Sequence, residues 1–357
     1  MDCESKLWLV VPFYLSAIYM QQCAVGEPQV GCVFIFGDSL SDNGNNNNLS
    51  TSAKANYLPY GIDFPYGPTG RFTNGRTAAD IITQLLGFED FIPPFANISA
   101  SDILKGVNYA SGSAGIRKET GTHWGENISL ELQLQNHIAI ISQIAEKLGG
   151  GDQAQKHLNK CLYYVNIGSN DYLNNYFLPE FYPISQIYSP DQYAGILAQQ
   201  YSMYIKGLHA VGARKFALIG LGPLGCIPHE VSVHGKNGLC VEKENKAALL
   251  FNDKVKAIVD RFNKELSDAK FIFINTLVIT KDNPKLPDID IIKCCKADSK
   301  TGLCIPNEKP CENRNLRPFF DESHPTEMVN QILARSAYNA LSPIYTHPMN
   351  ISELVKL

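Results

Sequence analysis

The sequence predicts an α/β protein: a single three-layer, doubly wound domain with a mostly parallel sheet of about five strands and helices on both faces. Three observations carry this expectation. Short apolar runs ending in Gly or Asn recur along the chain, as strands buried on both faces of a parallel sheet read. Longer segments between them place apolar residues three and four apart, the helical period. After the N-terminal stretch no linker, charge block or repeat divides the chain, so one domain accounts for residues 27–357.

The elements follow in order. Residues 7–20 (LWLVVPFYLSAIYM) are mostly apolar, contain Pro12 and are too short to span a bilayer. Ala24 and Gly26 stand where a signal peptidase needs small residues, so 1–26 is expected to be a signal peptide cleaved after Gly26. The expected strands named by such runs are 33–37 (VFIFG), 162–168 (LYYVNIG), 215–220 (KFALIG) and 270–275 (KFIFIN). Helices are expected from a Ser129 cap to about 148, ended by Gly149–Gly151, and over 191–210, 241 to about 266, and 326–341. The Asn-rich stretch 43–48 (NGNNNN) reads as a loop.

Composition narrows the function classes. Of 357 residues 45% are hydrophobic and 18% charged, which excludes a disordered or fibrous chain. The formal charge is −4, and loss of Asp2, Glu4 and Lys6 with the leader takes it to −3. Lys and Arg are scattered, so the electrostatic footprint of a nucleic-acid binder is missing. Ten cysteines become eight after cleavage: 32, 161, 226, 240, 294, 295, 304 and 311. Eight allow 105 connectivities, which spacing alone does not choose between. The last four crowd into a Lys-, Gly- and Pro-containing stretch that reads as a stapled loop; a zinc knot lacks both a CxxC pair and a nearby histidine. Sequons at Asn48, Asn97, Asn127 and Asn350 agree with a secreted, glycosylated protein.

Doubly wound sheets bind ligands at the carboxyl ends of their strands. There the first strand runs into Gly37-Asp38-Ser39-Leu40, placing a hydroxyl at a sharp turn, and the next informative one into Gly168-Ser169-Asn170-Asp171, placing an amide donor. Near the C-terminus, Asp321 precedes His324 by one turn and can fix the tautomer that leaves Nε2 free. Pro325 suits the first position of the following helix, which would set His324 beside its N-cap. Each feature alone has an ordinary structural reading as a cap or turn. Together a hydroxyl, an amide donor and an Asp/His pair make a complete acyl-transfer set. No metal or cofactor is required.

The motifs FGDSLSDNGN (36–45), GVNYASGSAG (106–115), NIGSND (166–171) and FFDESHPTE (319–327) occur in an order that resembles the plant GDSL esterase/lipases of the SGNH hydrolase superfamily. The resemblance spans nearly the whole mature chain and implies a flavodoxin-like fold and a secreted esterase or lipase. It implies Ser39 as nucleophile, His324 as general base and later acid, and Asp321 as its orienting partner. It also implies an oxyanion hole made of the Ser39 N–H, the Asn170 side chain and a backbone N–H of the glycine motif, assigned to Gly112 with Gly115 in reserve. Position 113 holds Ser where a second Gly often stands. Ser111-Gly112-Ser113-Ala114-Gly115 also approximates the GxSxG elbow, which makes Ser113 a rival nucleophile, although the strand and helix that an elbow needs are weak here. An acyltransferase using Ser39, or an inactive binding protein on the same fold, are the alternatives. The expected partner is an ester: lipid, wall-polysaccharide ester or small ester.

Overall fold

A computed structural model describes residues 27–282 and 293–357; the expected signal peptide, 1–26, lies outside them. Five strands, β1 (Val33–Gly37), β2 (Gly106–Asn108), β3 (Leu162–Asn166), β4 (Lys215–Ile219) and β5 (Lys270–Ile274), pair in parallel. A sixth, β6 (Thr346–His347), pairs antiparallel with β5 at the edge, giving the order β2-β1-β3-β4-β5-β6. The sequence reading stopped at about five because a two-residue strand carries no periodicity to detect.

The strand residues alternate between two cores. Phe34, Phe36, Tyr163, Val165, Phe216 and Leu218 enter the larger one, packed by helices α2 (Leu130–Leu148), α3 (Pro190–Ala210) and α4 (Glu242–Glu265). Ile35, Tyr164, Ala217, Ile219, Ile272 and Ile274 enter the other, covered by α1 (Ala78–Leu85) and α5 (Glu327–Tyr338). Both faces are apolar because both are buried, which explains why the strands read as continuous apolar runs.

Local chemistry sets the helix ends. Ser189 caps α3 through a reciprocal bond with Gln192, with Pro190 at the first position. Gly149 ends α2 in the left-handed conformation, as expected. Ser129 stands at the N-cap of α2, yet its hydroxyl makes no capping bond. At α5 the expectation is corrected: Thr326 is the N-cap and Glu327 the first helical residue, so Pro325 is not in the helix and His324 lies two residues before the cap. Pro325 instead bridges to Phe319 across a tight loop.

All eight cysteines among the described residues pair: 32–161, 226–240, 294–311 and 295–304. The last two nest within the expected stapled loop. Cys32, Cys161 and His157 form the one trio of metal-ligating residue types among the described residues, but the two sulfurs are bonded to each other.

Candidate active site

β1 and β3 are adjacent, and the sheet order reverses between them; this is the switch point where doubly wound folds open a crevice. Gln133, fully buried, brackets the end of β1 by accepting from Gly37 N at 2.9 Å and donating to Gly37 O at 2.8 Å. Asp38 O then accepts from Ser41 N and Asp42 N, turning the chain so that Ser39 is half-buried at the cleft floor. Burial pushes the Asp38 carboxyl up to about 7 against the pull of the Leu40 N–H and of His324, and among the described residues its Oδ2 meets no hydrogen-bond partner.

From the other end of the chain, the loop before α5 brings Asp321 and His324. His324 Nε2 stands 2.9 Å from Ser39 Oγ, and its Nδ1 lies 2.8 Å from Asp321 Oδ2. Asp321 Oδ1 accepts from the Ser323 and His324 backbone at 2.8 and 2.7 Å, which closes the turn around the carboxylate. Burial alone would raise the Asp321 pKa, but His324, both by charge and by hydrogen bond, and the Tyr60 hydroxyl hold it below its ordinary value. Tyr60 donates to Asp321 Oδ2 at 2.5 Å and accepts from Cys304 N at 3.0 Å, tying the stapled loop to the carboxylate. The same loop grips the two residues before Asp321: Cys294 N donates to Phe319 O and Phe320 O, and Cys295 N to Phe320 O. Phe72 packs on the His324 ring with centroids 5.0 Å apart.

After β3, Gly168 takes φ +127°, a conformation other residues rarely adopt, and starts the single turn carrying Asn170. Asn170 Nδ2 donates to Ala114 O at 2.9 Å, its Oδ1 accepts from Asn174, and the side chain lines the cleft. Among the described residues one amide hydrogen is left unbonded, in the cleft that Ser39 also lines.

The glycine motif departs from expectation. Gly112 N–H donates to Asp42 Oδ2 at 2.9 Å, so it is already spent. A Cβ there would also meet Phe72 at 2.8 Å, which explains the glycine by crowding rather than by chemistry. Gly115, the reserve, is packed against Thr120 and Asp171, outside the cleft lining. Ser113 lies between them in a left-handed conformation, φ +62°, and lines the cleft; among the described residues its N–H, like that of Ser39, donates to nothing. Its hydroxyl accepts from Asn127 Nδ2 at 3.3 Å, while the histidine is bonded to Ser39, so the geometry of a nucleophile and base belongs to Ser39. The loop is held from both sides: Asp42 takes Gly112, and Asp171 takes the Ile116 and Arg117 N–H groups and the Thr120 hydroxyl.

Several supporting residues escaped the sequence reading. Asn43, Asn45 and Asn46 are buried: Asn45 donates to Asn108 O and Ala110 O, and Asn46 to Ala53 O and Gly112 O. The Asn-rich stretch is thus a set of backbone pins for the β2 motif; only its motif membership hinted at that. Half-buried His123 and exposed His229 and His234 line the cleft, whereas His137 is core, pushed down to about 3 by burial. In the 70–76 loop, Phe72 lines the cleft, while Arg71 is buried in an ion pair with Asp80 at 2.8 Å.

Residues 33–337 match the family described as GDSL-like Lipase/Acylhydrolase. The chain belongs to that family. Membership makes it a carboxylic ester hydrolase, and the single α/β domain with its mostly parallel sheet is the SGNH hydrolase fold. Similar proteins include three from Arabidopsis thaliana. GDSL esterase/lipase At5g45670 is 44% identical over 99% of this chain and 100% of its own length. GDSL esterase/lipase At1g29670 is 45% identical over 100% of both. GDSL esterase/lipase At4g18970 is 44% identical over 94% of this chain and 95% of its own. Among the described residues no helix is long and apolar enough to cross a membrane.

Proposed function

We propose that the protein hydrolyses esters in two steps through Ser39. His324 Nε2 takes the Ser39 proton as Oγ attacks the ester carbonyl, and then delivers it to the leaving alcohol; water, activated by the same nitrogen, releases the acid from the acyl-enzyme. Asp321 orients His324 and offsets the positive charge that forms on it. The developing oxyanion is met by the N–H groups of Ser39 and Ser113 and by Asn170 Nδ2, with Ser113 taking the place assigned to Gly112 because the Gly112 N–H serves Asp42. The observation that carries this reading is the continuous relay from Ser39 Oγ through His324 to Asp321 at 2.9 and 2.8 Å. Replacing Ser39 by Ala tests it: ester hydrolysis is lost in a protein that still folds, and retained activity removes Ser39 from the reaction.

The protein is proposed to act outside the cell after cleavage at Gly26. Four disulfides favour an oxidising compartment. Asn48 and Asn97 are exposed and suit glycosylation. Asn350 is buried as a helix cap, and Asn127 is hydrogen-bonded to Thr120 O, so both are poorer acceptors. N-terminal sequencing of secreted protein should begin at Glu27.

A further inference from the structure

The cleft does not end at Ser39. The cleft, about 660 Å³ in all, continues past His324 into the layer between the sheet and helices α1 and α5. Val329, Leu333 and Ala337, spaced by four, present one stripe of α5 to it. Two turns of helix make that stripe about 12 Å long at 1.5 Å per residue. Ala78 and Ile82 of α1 line the same space, and the last residues of β4 and β5, Ile219 and Ile274, form the sheet-side wall. The polar side chains here spend their donors on backbone: Thr276 on Gly220 O, Thr280 on Thr276 O, and Asn330 on Arg76 O. The outer part of the cleft is mixed, with His123, Asn174 and Glu230 standing among Trp124, Phe177 and Phe181. The inner end is therefore the more uniformly aliphatic, and the outer end sets hydrogen-bonding groups among aromatic rings.

The helices fix which end is deep. Asn330 of α5 bonds Arg76, just before α1, and Glu327 pairs with Arg76, so both helices start together beside the catalytic loop. Ala78 thus stands near the mouth of the inner arm, and Ala337, in the last turn of α5, at its far end.

We propose that this arm holds the unbranched aliphatic chain of an ester, and that Ala337 sets the chain length it accepts. The proposal rests on the esterase reading and deepens it by choosing a long-chain aliphatic ester over an aromatic or sugar ester for this arm. An extended alkyl chain advances about 1.25 Å per carbon, as single bonds of ~1.5 Å at tetrahedral angles require, so the arm takes about eight to ten carbons. Each carbon buried should raise kcat/KM about fourfold until the arm is full.

Two substrate series decide it and identify the source of the chain: p-nitrophenyl esters of lengthening acids, and acetates of lengthening alcohols. The expected result is a rise of kcat/KM with length in one series, breaking at about eight to ten carbons. A rise in the acid series assigns the arm to the acyl chain; a rise in the alcohol series assigns it to the leaving group. Ala337→Leu should move the break to shorter chains and Leu333→Ala to longer ones, each read as the ratio of long- to short-chain kcat/KM within one protein. No rise in either series, or a break that stays put in whichever variants fold, overturns the proposal. Displacement of the fluorescent fatty acid cis-parinaric acid by decanoate in Ser39→Ala protein keeps the two readings apart. Binding that weakens in the Ser39→Ala/Ala337→Leu double variant supports the arm even if no ester is hydrolysed, and absence of binding overturns it.

Discussion

The Tyr60 hydroxyl donates to Asp321 Oδ2 at 2.5 Å across 261 positions of sequence, while its oxygen accepts the Cys304 N–H at 3.0 Å. Asp321 therefore has its carboxylate divided among His324, two backbone N–H groups and this phenol, and none of its orientation depends on solvent. Tyr60 is a positioning residue, and the stapled loop reaches the site through it.

Tyr60→Phe removes both bonds and leaves Asp321 and Cys304 N–H buried with one partner fewer. Loss of a hydrogen bond to a charged group predicts a stability cost of about 1.5–3 kcal/mol, checked by urea unfolding, with a fall in kcat. Unchanged stability and kcat would make the phenol a spectator.

Asn170→Ala deletes the side-chain donor of the proposed oxyanion hole. Turnover should fall about 10²–10³-fold with a smaller change in KM, since the bond matters mainly in the transition state. Steady-state kinetics on a short ester reads both constants, and an equal rise in KM with kcat intact would place Asn170 in ground-state binding.

Ser113 separates the oxyanion reading from the elbow reading. Ser113→Ala keeps the backbone N–H and should cost far less turnover than Asn170→Ala. Ser113→Gly should also stabilise the fold, because the left-handed φ of +62° costs a non-glycine residue on the order of 1 kcal/mol. Abolished activity in Ser113→Ala would make its hydroxyl essential and decide for the elbow reading against Ser39.

A second buried pair governs stability against pH. Glu244 is buried against Glu230, and burial first, then the neighbouring charge, push its pKa from 4.5 up to about 8. The folded state keeps a proton that the unfolded chain releases, so this contribution is complete below about pH 4.5 and is lost as the pH rises toward 8. Melting temperatures across that range should fall with pH more steeply in the wild type than in Glu244→Gln. Parallel slopes would remove Glu244 as the cause.

Much of this was legible from sequence where signals are local or periodic. The unbroken apolar run from Val33 to Phe36, ending at Gly37, predicted a strand buried on two faces, and the three-residue step from Asp321 to His324 predicted their bond. What depends on partners distant in sequence was not legible. Nothing near Gly112 reveals that its N–H is taken by Asp42, seventy residues earlier, or that Tyr60 would meet Asp321. Pro325 followed a sound local preference for a first helical position, but tertiary bonds from Thr326 to Pro318 O and Arg317 O hold that segment as a loop and start the helix later.

The central claim is that Ser39 is the nucleophile served by His324. Intact-mass analysis after treatment with an alkyl phosphonate ester, followed by peptide mapping, tests it most directly. One adduct on Ser39, absent from Ser39→Ala and strongly slowed in His324→Ala, is the predicted result. An adduct on Ser113, or labelling that persists in Ser39→Ala, would contradict it.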